Sequence, residues 1–278
     1  MTTLQEKGKP TMNEVGFNSE HTMLRLRYGA LKERVANQIE LLHMLVETKG
    51  PNIKARYMMF IGRLEYKVYE LTVELKRWRR RLALRQAALN RGETPDLDAI
   101  EATLNREFAE FLFEIMRHAK EIHESHVLFR SPSLSGEEDT AVRAAYLDAV
   151  KRLHPDLNPN LPKAAQDLWN EIQAAYAAHD WDAVRLLASL VDGVASGTED
   201  FASAPDAIAA MKKACERLEA KSRELMSETS RIQQSVPFTY EALLDDVDAV
   251  KERQNDLKMD IAELKAKIGK CEEAWNNG

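Results

Sequence analysis

The amino-acid sequence predicts an all-α protein built from long amphipathic helices, and three observations support this fold class. Charged residues make up 30% of the 278 residues, whereas aromatic residues make up only 7%. The chain has 11 glycines and 9 prolines, so long stretches lack helix-breaking residues. Apolar residues recur at alternating spacings of three and four, and no β-hairpin signal interrupts them.

Breaks rich in glycine, proline and serine divide the sequence into four segments. Residues 1–18 are polar with scattered glycines, and we expect them to be a flexible N-terminus. Residues 19–130 are expected to form an N-terminal coiled-coil domain, and residues 135–192 a central helical domain. Residues 204–278 are expected to form a C-terminal antiparallel coiled-coil hairpin. The predicted architecture is therefore long antiparallel coiled-coil hairpins that flank a central helical hairpin.

The N-terminal segment is predicted to begin with two helices. A heptad-like stripe from Leu24 to Leu45 should end at Gly50-Pro51, because proline lacks the backbone N–H that a helix interior uses. A second stripe, from Tyr57 to Leu82, predicts a helix over residues 53–90. Since the connection between them is short, the two helices are predicted to be antiparallel.

A third helix is predicted to follow Gly92 and to extend to about Phe129. Gly92 suits the C-terminal cap of the preceding helix, Thr94 an N-terminal cap, and Pro95 the first helical position.

The C-terminal segment contains two further stripes, from Ile208 to Ile232 and from Leu243 to Trp275. The break between them, Ser235-Val236-Pro237-Phe238, is short. Two complementary stripes joined in this way predict an antiparallel coiled coil.

The central segment is predicted to be a helix, a stiff loop and a second helix. The first helix carries an apolar stripe from Val142 to Leu153 and ends at Pro155, which disfavours helical geometry at the preceding residue. A polar loop from Asp156 to Pro162 follows, and a second stripe extends from Ala165 to Tyr176. A short loop between two amphipathic helices favours an antiparallel hairpin.

Several short motifs lie in register with the two helices of this segment. They are Tyr146, Lys151-Arg152, His154-Pro155-Asp156, Asn158-Pro159 and Trp169-x-x-Ile172-x-x-Ala175-Tyr176. Residues 137–180 thereby resemble the J-domain of DnaJ-like co-chaperones, so the domain at residues 135–192 is interpreted as J-like. The first helix of that family has no clear counterpart before Ser135.

The resemblance implies a co-chaperone that docks on a DnaK-type (seventy-kilodalton heat-shock) chaperone and promotes its ATP hydrolysis. The co-chaperone itself does no bond chemistry, so neither a catalytic residue nor a cofactor is expected. The coiled coils would recruit a client or partner protein. We expect His154 and Asp156 to be exposed at the tip of the loop, with Tyr146, Trp169 and Tyr176 in the core. The implied partner-binding residues are Lys151, Arg152, His154, Pro155, Asp156 and Asn158.

The alternative is a non-catalytic scaffold or adaptor in which the J-like hairpin is only structural. The long helical pairs would then bind a partner protein or self-associate. The stripes leave open whether the coiled coils close within one chain or between chains, so a homo-oligomer is one of the alternatives.

Other classes of function are less favoured. The formal net charge of −6 gives no general affinity for nucleic acid, and the basic run from Lys76 to Arg81 surrounds a tryptophan that falls on the apolar stripe. His118, His123 and His126 lack the further ligands that a metal site needs.

The predicted location is the cytoplasm, without membrane insertion. No run approaches the roughly 18–20 apolar residues of a membrane span. The two cysteines, Cys215 and Cys271, sit on apolar stripes and are predicted to be core residues.

Overall fold

The structure, a computed structural model, describes residues 12–130, 136–194 and 205–277. These residues are almost entirely helical and contain no β-strand, which confirms the all-α fold class. The first helix begins at Met12, inside the segment that was predicted to be flexible. Residues 1–11 of that segment lie outside the described residues.

Most of the described chain belongs to α-helices, which are linked by two π-helical segments and one short 3₁₀ turn. The π-helical segments are Met44–Lys49 and Met58–Gly62, and the 3₁₀ turn is Phe238–Tyr240. The α-helices are α1 (Met12–His43), α2 (Gly50–Tyr57), α3 (Arg63–Asn90), α4 (Leu97–Glu107), α5 (Ala109–Arg130), α6 (Gly136–Leu153), α7 (Lys163–Ala177), α8 (Trp181–Ser189), α9 (Val191–Val194), α10 (Pro205–Gln233), α11 (Glu241–Asp245) and α12 (Val247–Asn276).

The chain forms two compact units, and each unit combines segments that are distant in sequence. One comprises Met1–Thr48 and Ser133–Gln234, and the other comprises Lys49–Pro132 and Ser235–Gly278. The sequence instead predicts contiguous domains, two of whose boundary residues, 135 and 204, lie outside the described chain.

The predicted helix break at Gly50-Pro51 is wrong. Lys49 has helical dihedral angles of φ −67° and ψ −46°, and Pro51 lies in the first turn of α2. The π-helical turn that ends at Lys49 explains this. Its wider backbone spiral changes the hydrogen-bonding partners next to the proline, so that the missing N–H and the bulk of the ring are tolerated.

In the first unit, α1 packs along α10 in a parallel orientation. Lys212 of α10 pairs with Glu20 of α1 at 2.7 Å, and Glu219 pairs with Arg27. The residue numbers rise together in the two helices, which defines their direction. The predicted C-terminal hairpin, in which α10 would pair with the following stripe, is therefore not found.

In the second unit, α3 packs along α12, again in a parallel orientation. Arg253 pairs with Glu65 at 2.7 Å, and Arg85 donates to the backbone carbonyl of Trp275 at 2.6 Å. The predicted antiparallel pairing of the first two helices is thus replaced by pairing with later segments.

Gly92 caps α3 as expected, but the next helix begins later than predicted and is divided. Gly92 has a φ of +73°, and the N–H groups of Gly92 and Glu93 donate to the carbonyls of Leu89 and Ala88. Asp96, rather than Thr94, caps α4 by accepting from the N–H of Ala99. The single third helix is replaced by α4 and α5.

The hairpin of α6 and α7 shares one apolar core with α1, α8 and α10. Tyr146 and Leu153 of α6 are fully buried, and Trp169 of α7 is nearly so. Helix α1 adds four buried side chains to the same cluster: Leu31, Val35, Ala36 and Ile39. The hairpin therefore completes its core with helices that come from distant parts of the sequence. Helix α8 follows directly after the hairpin, and the side chain of Asp180 caps it by accepting from the N–H of Ala183.

Zero-length carbodiimide cross-linking checks the parallel pairing of α1 and α10. We expect Lys212 to couple to Glu20 within the monomer, because the two groups form an ion pair. Mass spectrometry of digested monomer identifies the product, and Glu20→Gln should remove it. A dominant product between Lys212 and a carboxylate of residues 241–275 would instead indicate the antiparallel hairpin.

Candidate functional site

The candidate site is the loop between α6 and α7, which begins at His154. The backbone carbonyl of His154 accepts from the N–H groups of Leu157 and Asn158 at 3.0 and 2.9 Å, so the chain makes one further turn after α6. Leu157 and Leu161 are buried and attach the loop to the core, whereas Pro155 is exposed. The loop is therefore held at both ends and presents its proline to solvent.

His154 is more enclosed than expected. Its side chain is 16% exposed, and its ring lies edge-on to Trp169 with 5.3 Å between the ring centroids. Its Nδ1 accepts from the backbone N–H of Asp156 at 3.1 Å. The imidazole therefore fixes the loop from inside, and the prediction that it is exposed at the tip is wrong.

Burial also sets the charge of His154. It lowers the pKa of the imidazole to about 4, and the neighbouring Asp156 carboxylate only partly opposes this effect, while His43 and Lys221 add to it. The ring is therefore neutral at pH 7. Since Nδ1 accepts a hydrogen bond, we assign the proton of the neutral ring to Nε2.

Asp156 is more exposed than His154, and it has a partner in α10. Its side chain is 41% exposed, and its carboxylate lies 3.1 Å from Nζ of Lys221. Lys221 also contacts Glu224 at 3.1 Å. Burial alone would lower the pKa of Lys221, but hydrogen bonds to these two carboxylates outweigh it and raise the pKa.

The two basic residues before the motif are also paired within the chain. Nζ of Lys151 lies 2.7 Å from the Glu33 carboxylate of α1. Arg152 lies 2.6 Å from the Asp192 carboxylate of α9, and this hydrogen bond raises the pKa of the guanidinium. Both side chains stay about one-third exposed, so they remain at the surface.

Asn158 organises the loop, and its side chain is not displayed to solvent. It is 5% exposed, and its side-chain nitrogen donates to the carbonyls of Lys151 and His154 at 3.0 and 3.3 Å. Its side-chain oxygen accepts from Nζ of Lys32 at 2.7 Å. The prediction that the Asn158 amide contacts a partner protein directly is therefore not supported by its buried position.

A cleft of about 430 Å³ separates the tip of the loop from α10. Pro155, Asp156 and Pro159 line one side, and Lys221 and Glu224 line the other. The ion pair between Asp156 and Lys221 bridges this cleft, so the loop tip and α10 are joined there mainly by charge.

The residues that surround the motif could not be identified from the sequence. Lys32 and Glu33 lie on α1, Asp192 on α9 and Lys221 on α10. Their only signal in the sequence is that Lys32, Glu33 and Lys221 flank apolar stripes. That position is typical of charged residues beside any helical interface.

The basic run from Lys76 to Arg81 is largely used for packing within the second unit. Arg77 and Arg81 both bind Glu101, and Arg80 binds Glu107. Arg81 also lies over the ring of Trp78, 4.3 Å from its centroid. These contacts favour a structural role for the run over a ligand site.

The remaining candidates in the sequence are not gathered into sites. Within residues 12–130, 136–194 and 205–277, no three histidine, cysteine, aspartate or glutamate side chains are placed to hold a metal ion. Cys215 is buried in the core of the first unit, as predicted, and Cys271 is half-buried.

The chain matches no protein-family model, no curated protein and no solved structure. The J-domain resemblance therefore remains a prediction that depends on the motif residues between positions 137 and 180. None of the described helices combines the length and the apolar character that a membrane span requires.

The enclosed imidazole of His154 should make folding stability depend on pH. The unfolded chain takes up a proton near pH 6.5, whereas the folded imidazole resists protonation down to about pH 4. The free energy of unfolding is therefore unaffected by protonation of His154 above pH 6.5, and it falls as the pH falls from 6.5 to about 4. The loss amounts to about 3 kcal/mol at most.

Urea unfolding at pH 7 and pH 4.5 measures this effect. We expect the difference in unfolding free energy between the two pH values to be smaller in His154→Gln than in the wild type by about 2 kcal/mol. Asn160→Gln, an exposed change in the same loop that involves no titratable group, serves as the control and should keep the full difference. Equal pH dependence in wild type and His154→Gln would contradict the assigned protonation.

Proposed function

We propose that this chain is a J-domain-type co-chaperone. Its His-Pro-Asp loop would dock on a DnaK-type chaperone and stimulate ATP hydrolysis there. The observation that carries the proposal is that the motif lies at the bend of a two-helix hairpin with its aromatic residues packed together. The ring of Tyr146 lies 4.2 Å from that of Tyr176 and 5.9 Å from that of Trp169, measured between centroids.

The loop geometry supports a docking role on physical grounds. Pro155 restricts the backbone, and the hydrogen bonds of Asn158 hold the loop in one conformation before any partner binds. A loop that is already ordered loses less conformational entropy on binding. Asp156 offers a carboxylate at the surface, and Lys151 and Arg152 offer cations to an acidic receiving surface.

The long helices would supply the contact with the client or partner protein. In the second unit, α5 exposes several large apolar side chains on its surface, notably Phe113 at 68% and Met116 at 70%. Neighbouring Leu112 is 41% exposed. Exposed apolar clusters of this kind are typical of surfaces that bind other proteins.

Single-turnover ATP hydrolysis by the cognate DnaK-type chaperone tests the proposal. We expect the wild-type chain to raise the rate several-fold, and we expect His154→Gln and Asp156→Asn each to lower the stimulation at least tenfold. His154→Gln loosens the support of the loop against Trp169, and Asp156→Asn removes the exposed charge. His118→Gln is the matched control and should stimulate like the wild type.

Circular dichroism of each variant, recorded at the assay temperature, separates loss of docking from loss of folding. The co-chaperone function would be excluded if the wild type and both loop variants were folded and gave equal rates of ATP hydrolysis.

A second candidate function is a scaffold in which the hairpin is only structural, and the enclosure of His154 favours it. Self-association through the apolar surface of α5 is the simplest form of this function. The double variant Phe113→Glu and Met116→Glu should then reduce the mass measured by light scattering, whereas Asp156→Ala should not. A wild-type chain that is monomeric at high concentration would exclude this form of the scaffold.

A further inference from the structure

We infer that Lys221 of α10, Glu33 of α1 and Asp192 of α9 form an internal mask that competes with the chaperone for the charged rim of the loop. This inference rests on the proposed function. It adds regulation to the same site, since the chaperone would have to displace these three side chains in order to dock.

The first support is charge complementarity around the loop. Each charged residue that was predicted to face a partner faces an opposite charge of the chain itself. Asp156 meets a cation, at 3.1 Å, while Lys151 and Arg152 meet carboxylates at 2.7 and 2.6 Å. A receiving surface that is acidic, with a cation placed for Asp156, would offer the same pattern of charges.

The second support is that the mask is weakly held. The masking carboxylates of Glu33 and Asp192 are 54% and 86% exposed, so water and salt screen their pairs strongly. The Asp156–Lys221 pair spans a cleft and is not embedded in an apolar interface. A partner that excludes water from the loop can therefore replace these contacts at small cost.

The third support is that the mask is separate from the contacts that shape the loop. Asn158 and the imidazole of His154 bind the loop backbone, and buried Leu157 anchors it to the core. None of these contacts involves Lys221, Glu33 or Asp192. Opening the mask therefore uncovers a loop that keeps its conformation.

The test compares an open variant with a control that carries similar changes at another place. The open variant combines Lys221→Met, Glu33→Gln and Asp192→Asn, which neutralise the mask and leave every loop residue intact. The control combines Lys212→Met and Glu20→Gln, which neutralise an ion pair between the same helices α1 and α10. Both are titrated into the single-turnover ATPase assay with the cognate DnaK-type chaperone.

We expect the open variant to reach half-maximal stimulation at a concentration lower by about three- to thirtyfold, because three weak surface pairs no longer compete. The control should match the wild type. Adding Asp156→Asn to the open variant should remove the stimulation, which would show that the gain acts through the loop.

The outcomes separate this inference from the proposed function. If wild type and open variant stimulate equally, or if the open variant is weaker, the mask is rejected while the co-chaperone function stands. If neither stimulates although both are folded, the proposed function fails, and the mask fails with it.

Carbodiimide cross-linking provides a second measurement that does not depend on ATP hydrolysis. Free wild-type chain should yield the Lys221–Asp156 product, and an excess of chaperone with ATP should lower its yield at least threefold. The Lys212–Glu20 product is the internal reference and should not change. An unchanged Lys221–Asp156 yield in the bound chain would show that docking leaves the mask closed.

Discussion

The packing of Tyr146 is the interaction on which the first unit and its loop depend. Its ring is fully buried among Trp169 and Tyr176 of the hairpin, and its hydroxyl meets Nδ1 of His43 from α1. Burial raises the pKa of the phenol and lowers that of the imidazole, so the contact is a hydrogen bond between neutral groups. One side chain thus joins the hairpin to a helix more than a hundred residues away in sequence, through apolar area and a polar contact together.

This core sets the properties of the loop above it. Because Leu153 and Leu157 are buried on either side of the motif, the proline bend has little freedom to move. His154 contributes to rigidity through Trp169, and the charged residues on either side contribute to recognition. The site therefore has two layers: an inner one that determines shape and an outer one whose charges are already satisfied. Such a loop has a fixed geometry before any partner binds, whereas its charged residues are already paired with other residues of the chain.

Local patterns in the sequence predicted the helices and the bend, but not which helices pair. Stripes that alternate by three and four define an apolar face, and several such faces in one chain are compatible with one another in either direction. The break at Gly50-Pro51 was predicted from a local rule that the π-helical turn circumvents. The enclosure of His154 could not be predicted, because it depends on how its ring packs against Trp169 across the hairpin.

The parallel pairing of α1 with α10 also constrains how the chain is made. Arg27 and Glu219 are partners although 192 residues separate them. During translation the apolar stripe of α1 is therefore finished long before its partner leaves the ribosome. The hairpin that also shares its core is completed in between. Part of the α1 stripe thus stays uncovered until α10 has been made, and temporary binding by other factors has its greatest opportunity to guide folding during that interval.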